Sequence, residues 1–430
     1  MKDLLNVRIV GLRIPIFFIV AAVAIAAYLM GVLPPNMIGA FLMLVVFGEL
    51  INLVGNRLPI ISTYFGGGAI LLIFGGAAMV YWKVITPDLA KVIGNFMKDP
   101  GGFLDFYIAA LITGSILGMN RKLLIKAAIR FLPTIIAGVV FALGFAALVA
   151  PLIGWKSQEA IAYIGIPIMG GGMGAGAVPI SKVFGQAMHI DYNQILSRLV
   201  PAVGLGNAMA IVAGGLLDKL GKLRPSWTGN GQMMARGTFE VPKDDTDSLR
   251  VQDYATGLAI ATAFFSLGCI IAHLIKPLLN VHPYAWMIIA VTVVKVLDIM
   301  PEELTRAASG WYQFIAKNFT AALMLGIGIS YTNMGQILAA FTLPYVVLCF
   351  VVVLGAIVGT GLFGKLVGFN PIEASITAGL CMANMGGTGD VAVLTAAKRM
   401  ELMPFAQISS RLGGAFIILI ASWLVPIFFG

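Results

Sequence analysis

The sequence predicts an all-α polytopic membrane protein: an inverted repeat of five spans plus one re-entrant hairpin each, behind one extra N-terminal helix. Three observations carry this. Hydrophobic residues make up 59% of the 430 positions and charged residues 11%, with a mean hydropathy of +0.96, far from a soluble domain. Eleven apolar stretches reach or approach the roughly 20 residues that a membrane helix needs. Sliding the chain along itself by 213 residues lays GGGMGAGAVPIS, 170–181, over a second glycine-rich run, and with no gap lays QILSRL, 194–199, over QISSRL, 407–412.

In chain order the spans are expected near 14–30, 37–54, 66–82, 103–118, 128–152, 195–217, 255–276, 283–298, 313–331, 341–363 and 405–428. The first, within 1–35, is followed by no convincing small-residue cleavage site and by many further spans, so it reads as a retained helix. The first repeat covers 36–217 with a hairpin at 160–180, and the second covers 254–430 with a hairpin at 371–394. Both hairpin segments are apolar but thick with glycine, and the second carries Glu373 and Asp390. Between the repeats, 218–253 is polar and reads as a cytoplasmic connector, partly disordered.

Charge supports this count. With Lys2, Arg8 and Arg13 on the cytoplasmic side, about 20 of the 28 basic residues fall on that side, Arg399 among them. Treating the hairpins as full crossings would invert that bias between them. Five spans per repeat place the second repeat in the opposite sense, the pattern of many secondary transporters. The net charge of +9 sits in short runs between apolar stretches, which argues for membrane orientation rather than nucleic acid.

Enzymatic and cofactor readings find no support. Cys269, Cys349 and Cys381 lie in apolar stretches without metal-ligand spacing, and His189, His273 and His282 are scattered. GMGAG, 172–176, lacks the strand and the acidic residue of a dinucleotide loop.

The chemistry points instead to 381–414 and its partner. A helix that stops inside a membrane exposes unpaired N–H groups at one broken end and carbonyls at the other, each carrying about half a unit charge. Anions suit the first end and cations the second. Gly386, Gly387 and Gly389 let the backbone approach a ligand, and Asn384 and Thr388 add side-chain donors and acceptors. Arg411 is the expected carboxylate clamp. The mate supplies Gly170, Gly171, Gly172, Gly174 and Gly176, closed by Pro179, and Arg198 mirrors Arg411. Two helix starts and one arginine offer about two positive charges, which matches a dicarboxylate. A cation would sit at carbonyls around Cys381 to Asn384 with the Thr388 or Ser410 hydroxyl, and Asp390 reads as a proton carrier or a plain hairpin carboxylate.

At these residues the chain resembles the bacterial 2-hydroxycarboxylate transporter family, carriers of citrate, malate and lactate. PIMGGGMGAGAVPIS is similar to its first glycine signature, and SITAGLCMANMGGTGD with QISSRLGG to its second; NRKLLIKAA and RFLP are also similar. The resemblance implies a homodimer in the bacterial inner membrane, its N-terminus cytoplasmic, with a scaffold domain and a transport domain that moves like an elevator. It implies substrate contacts at Gly172, Met173, Gly174, Met385, Gly387, Thr388 and Arg411. It implies a coupling ion, sodium or proton, at Cys381, Met382, Asn384, Thr388 and Ser410, with Asp390 a further candidate. Where the family's sodium-citrate carriers have asparagine and arginine, this chain has Met173 and Met385. One amide and one positive charge are thus missing, so the reading favours L-malate over citrate in a cation symporter. A dicarboxylate/lactate exchanger and the membrane subunit of a sodium-pumping decarboxylase are the alternatives.

Overall fold

A computed structural model describes residues 8–58, 68–98, 101–119, 121–235, 249–276 and 282–429. All eleven expected stretches are helical where described. Among the described residues, seven helices are long and apolar enough to cross a membrane: Met37–Arg57, Arg130–Ile153, Tyr192–Leu223, Val251–Ile275, Glu302–Tyr331, Leu343–Leu366 and Met400–Phe429. Ile14–Leu29, Leu71–Tyr81, Phe103–Leu117 and Pro283–Leu297 are shorter apolar helices. The protein is a predominantly helical, polytopic membrane protein.

Polar residues begin these helices by satisfying orphan N–H groups. Asn36 accepts from the Ile38 N–H at 2.9 Å, Thr86 from Leu89 at 3.3 Å, and Asp191 from Asn193 at 3.0 Å. Proline occupies the first turn after Thr86, His282 and Thr342, where it sacrifices no helical bond.

Helix positions follow the 213-residue offset in part. Met37–Arg57 lies at about that offset from Val251–Ile275, Gly68–Tyr81 from Pro283–Leu297, and Tyr192–Leu223 from the helical run from Met403 to Phe429, whereas the separate helices Pro87–Met97 and Phe103–Leu117 fall against the single helix Glu302–Tyr331. The hydroxyls of Tyr107 and Thr320, 213 residues apart, lie 2.7 Å from each other.

Packing divides the chain into two compact units, each drawn from both halves of the sequence. One contains Met1–Thr63, Gly67–Tyr107 and Phe314–Gly335. Its centre is aromatic: Phe41 meets Phe96, Phe103 and Phe319 at 5.1 to 5.2 Å between ring centroids. Gly76 faces Gly328 there, letting two helices approach closely.

The other unit contains Tyr64–Gly66, Ile108–Gln313 and Gln336–Gly430, and with them both hairpins. Gly355 and Gly359, one turn apart, bring Leu343–Leu366 against the backbone of Phe141 and Ala137. The first hairpin runs through Ser157–Ala160, Ile161–Gly165 and Ile166–Ile168, turns at 169–172, and returns through Met173–Ala177 and Val178–Met188. The second runs through Pro371–Ala374 and Ser375–Leu380, turns at 381–386, and returns through Gly387–Ala396. The wide π-helical segments Ile161–Gly165 and Ser375–Leu380 hold corresponding places in the two outgoing limbs.

The expected connector is more ordered at its start than its composition suggests. Residues 218–223 finish the Tyr192–Leu223 helix, and 225–235 pack on the second hairpin through Ala235 N–H to Gly368 O, 3.0 Å, and Asn370 N–H to Met233 O, 3.0 Å. Residues 236–248 lie outside the described part. Arg399, counted from sequence among the basic residues of the cytoplasmic side, is only 7% exposed.

Candidate functional site at the hairpin turns

The second turn is built by its own side chains. Asn384 Oδ1 accepts from the Gly386 N–H at 2.7 Å, an Asx-type closure, while its Nδ2 donates to Asp390 Oδ1 at 2.9 Å. Gly386 has φ 71°, a left-handed value that lets the chain reverse. The returning helix then starts, with the Asp390 N–H bonded to Gly386 O at 3.0 Å. Its first N–H groups, at Gly387 and Thr388, have no intrahelical acceptor, as at any helix start. Beyond their helical backbone, these two residues lie outside the described part.

The two turns meet, as the sequence offset suggests. Gly172, at φ 119°, presses so close that a Cβ on it would lie 2.6 Å from Met385 O. A Cβ on Gly171 would lie 2.5 Å from Ser410 O, and one on Gly414 would lie 2.9 Å from Gly170 O. The first turn is therefore held between the second turn and the stretch 410–414, backbone against backbone. The helix starts at Met173 and Gly387 both open at this junction.

Asp390 is fully buried. Its Oδ2 accepts from the Ser410 hydroxyl at 2.8 Å and its Oδ1 from the Asn384 amide at 2.9 Å. These partners are neutral, and Arg411 acts on the carboxylate electrostatically without direct pairing among the described ion pairs. A buried carboxylate without a paired charge is costly, so this position favours a proton or a cation. Ser410 lies in the π-helical segment Ser409–Gly413, whose extra residue per turn offsets the hydroxyl and the arginine from ordinary helical register. Arg411 is half-buried, its guanidinium 5.5 Å from the centroid of the Tyr312 ring.

The expected residues thus fall into two joined groups. Gly172 and Met385 touch directly, Met173 is buried at 2% exposure beside them, and Gly174 is buried in the returning limb. Cys381, Asn384, Asp390 and Ser410 form the second group, and the Met382 sulfur packs on Gly413. Arg198 stands apart. It is exposed and lies 5.5 Å from the Tyr163 ring in the outgoing limb of the first hairpin, with no contact to either turn among the described bonds. No cluster of three His, Cys, Asp or Glu suited to a metal ion occurs among the described residues.

Asn207 belongs to the site and has no counterpart in the sequence reading. Fully buried in the Tyr192–Leu223 helix, it accepts from the Met385 N–H through Oδ1 at 3.0 Å. Its Nδ2 has no hydrogen-bond partner among the described residues, and neither has the buried Ser409 hydroxyl. A lone amide inside an apolar span was the available signal, since an intramembrane polar group demands a partner.

Known proteins match this chain over nearly its whole length. The model of the 2-hydroxycarboxylate transporter family matches residues 9–423. A citrate/sodium symporter of Salmonella typhimurium is 35% identical over 425 residues, covering 98% of this chain and 95% of the relative. A malate transporter of Lactococcus lactis is 36% identical over the full length of both. A Na(+)-malate symporter of Bacillus subtilis is 35% identical, covering 96% of this chain and 92% of the relative.

Proposed function

Because the chain belongs to the 2-hydroxycarboxylate transporter family, we propose that it is a cation-coupled symporter of 2-hydroxycarboxylates, with L-malate favoured and citrate a further substrate. The protein is a membrane transporter and not an enzyme. The reading includes the inverted repeat of five spans and a hairpin each, supported by the recurrence at 213 residues. It also includes a homodimer in the bacterial inner membrane, a cytoplasmic N-terminus and elevator-type motion, which rest on the family resemblance and the distribution of basic residues.

The convergence of two helix starts beside Arg411, with Asp390 buried among neutral partners, is the observation that carries it. Two helix starts and Arg411 offer about two positive charges. Asp390, in the first turn of one of those helices, removes about one when ionised. A sodium ion or proton at Asp390 restores the balance, so cation and dicarboxylate bind better together than apart. The Asp390 carboxylate, bonded to the Ser410 hydroxyl and the Asn384 amide, begins an oxygen-rich set of the kind a hard cation prefers, and in this reading Thr388, Cys381 and Met382 complete it. Gly172, Met173, Gly174, Met385, Gly387 and Thr388 line the substrate side with Arg411.

Purified protein in proteoliposomes tests the reading. Malate uptake should be driven by an imposed sodium gradient or an imposed pH gradient. Strict dependence on internal lactate, with neither gradient effective, would overturn symport in favour of exchange. Competition between malate, citrate and lactate ranks the substrates directly.

A further inference from the structure

A second polar cluster closes the opposite end of the second hairpin. Glu373, fully buried in the outgoing limb, accepts from the Thr228 hydroxyl at 2.7 Å, the Gly229 N–H at 3.0 Å, the Gly231 N–H at 3.2 Å and Arg399 Nε at 3.4 Å. Arg399 follows the returning limb, so this ion pair ties the two limbs together at their open end. Its remaining donors reach Asp218 Oδ1 at 3.3 Å, the Lys398 carbonyl at 3.0 Å, Thr228 Oγ1 at 3.4 Å and Asn230 Oδ1 at 3.3 Å. Asp218 also accepts from Lys222 at 2.8 Å, which leaves two acids and two bases in balance. Residues 228–235 complete the seal: the Asn370 amide donates to Gln232 O at 2.7 Å, and Met233, 3% exposed, packs beside Thr377.

The Tyr192–Leu223 helix engages both ends of this hairpin. Asn207 holds the turn through Met385, Asp218 holds the open end through Arg399, and Gly214 between them lies close against the Val393 carbonyl. Asn207 and Asp218 are about three helical turns apart, which puts them on one face and about 16 Å from each other.

We propose that Glu373 and Arg399 are positioning residues for the substrate turn, clamped by residues 225–235, so that the start of the connector is a working part of the second hairpin. The clamp sets how far the returning limb extends along the Asn207–Asp218 face. It thereby sets where the N–H groups at Gly387 and Thr388 stand. The proposal rests on the transport reading for its consequence but not for its test, because the hairpin can be followed without substrate.

The test is hydrogen–deuterium exchange of the full chain in lipid nanodiscs, with uptake measured in parallel. Thr228→Val with Asn230→Gly removes the strap's side-chain hydrogen bonds to Glu373 and Arg399 and leaves the ion pairs; Asn230 has φ 48°, which glycine adopts freely. Glu373→Gln, of the same shape, removes one charge. In both, exchange across 381–390 should rise about tenfold, the signature of easier local opening. The half-saturation for malate should rise with it while the maximal rate changes less. Glu373→Gln combined with Arg399→Gln, which strands no charge in the clamp, should recover protection of the turn relative to Glu373→Gln alone. Faster exchange confined to 225–235, with 381–390 unchanged, would overturn the proposal, as would a double variant no better protected than the single.

Discussion

At the level of single residues, the proposed function assigns the anion to Arg411 and the cation to Asp390. Arg411→Lys keeps the charge but not the two-pronged contact with a carboxylate, so the half-saturation for malate should rise on the order of tenfold or more. Near-normal uptake by that variant removes Arg411 from the site. Asp390→Asn should bind malate yet lose stimulation by a sodium or pH gradient, measured as uptake with and without the gradient. Met385→Arg adds one positive charge at the contact between the turns, and competition assays should then show a shift from malate toward citrate. Arg411 and Asp390 were legible because charge inside an apolar stretch is conspicuous. Asn207 was not, because an amide in a span becomes informative only when the backbone group it meets is known. The burial of Arg399 was not legible either, because its partners Glu373 and Asp218, one of them 181 positions away, are brought to it only by the fold.

Two glycine turns in contact are the element on which the site depends. Gly172 combines a left-handed φ with a backbone oxygen where a Cβ would go. Gly172→Ala should therefore force the turns apart and abolish uptake, while the protein still inserts and elutes as wild type in size-exclusion chromatography. The helices and the hairpin breaks were readable within a few residues, because apolar length and glycine density are local properties. The pairing of the two turns was readable only through the repeat offset. The π-helical segments left no trace in composition, since one extra residue in a turn is a matter of tertiary accommodation.

For the whole molecule, the packing units divide the chain differently from the repeats that the sequence suggests. Each unit takes residues from both halves, which no reading of linear segments suggests. Joint binding of cation and substrate to the native state should appear as a synergistic rise in the thermal midpoint. Malate at a hundred times its dissociation constant contributes about 2.7 kcal/mol, and sodium or lower pH should add to the malate effect rather than act alone. Loss of that synergy in Asp390→Asn, read by thermal shift in detergent, would tie it to this carboxylate.

The clamp at Glu373 also bears on how the chain is made. Its connector partners lie 142 to 145 residues upstream, whereas Arg399 lies 26 residues downstream. At roughly 5 to 20 residues per second, synthesis brings Arg399 out about one to five seconds after Glu373. The loop that shields the acid has by then long left the ribosome. The nascent second hairpin can therefore meet the partners of its buried acid before its own arginine exists, so that the strap is the first part of the clamp on hand to shield Glu373.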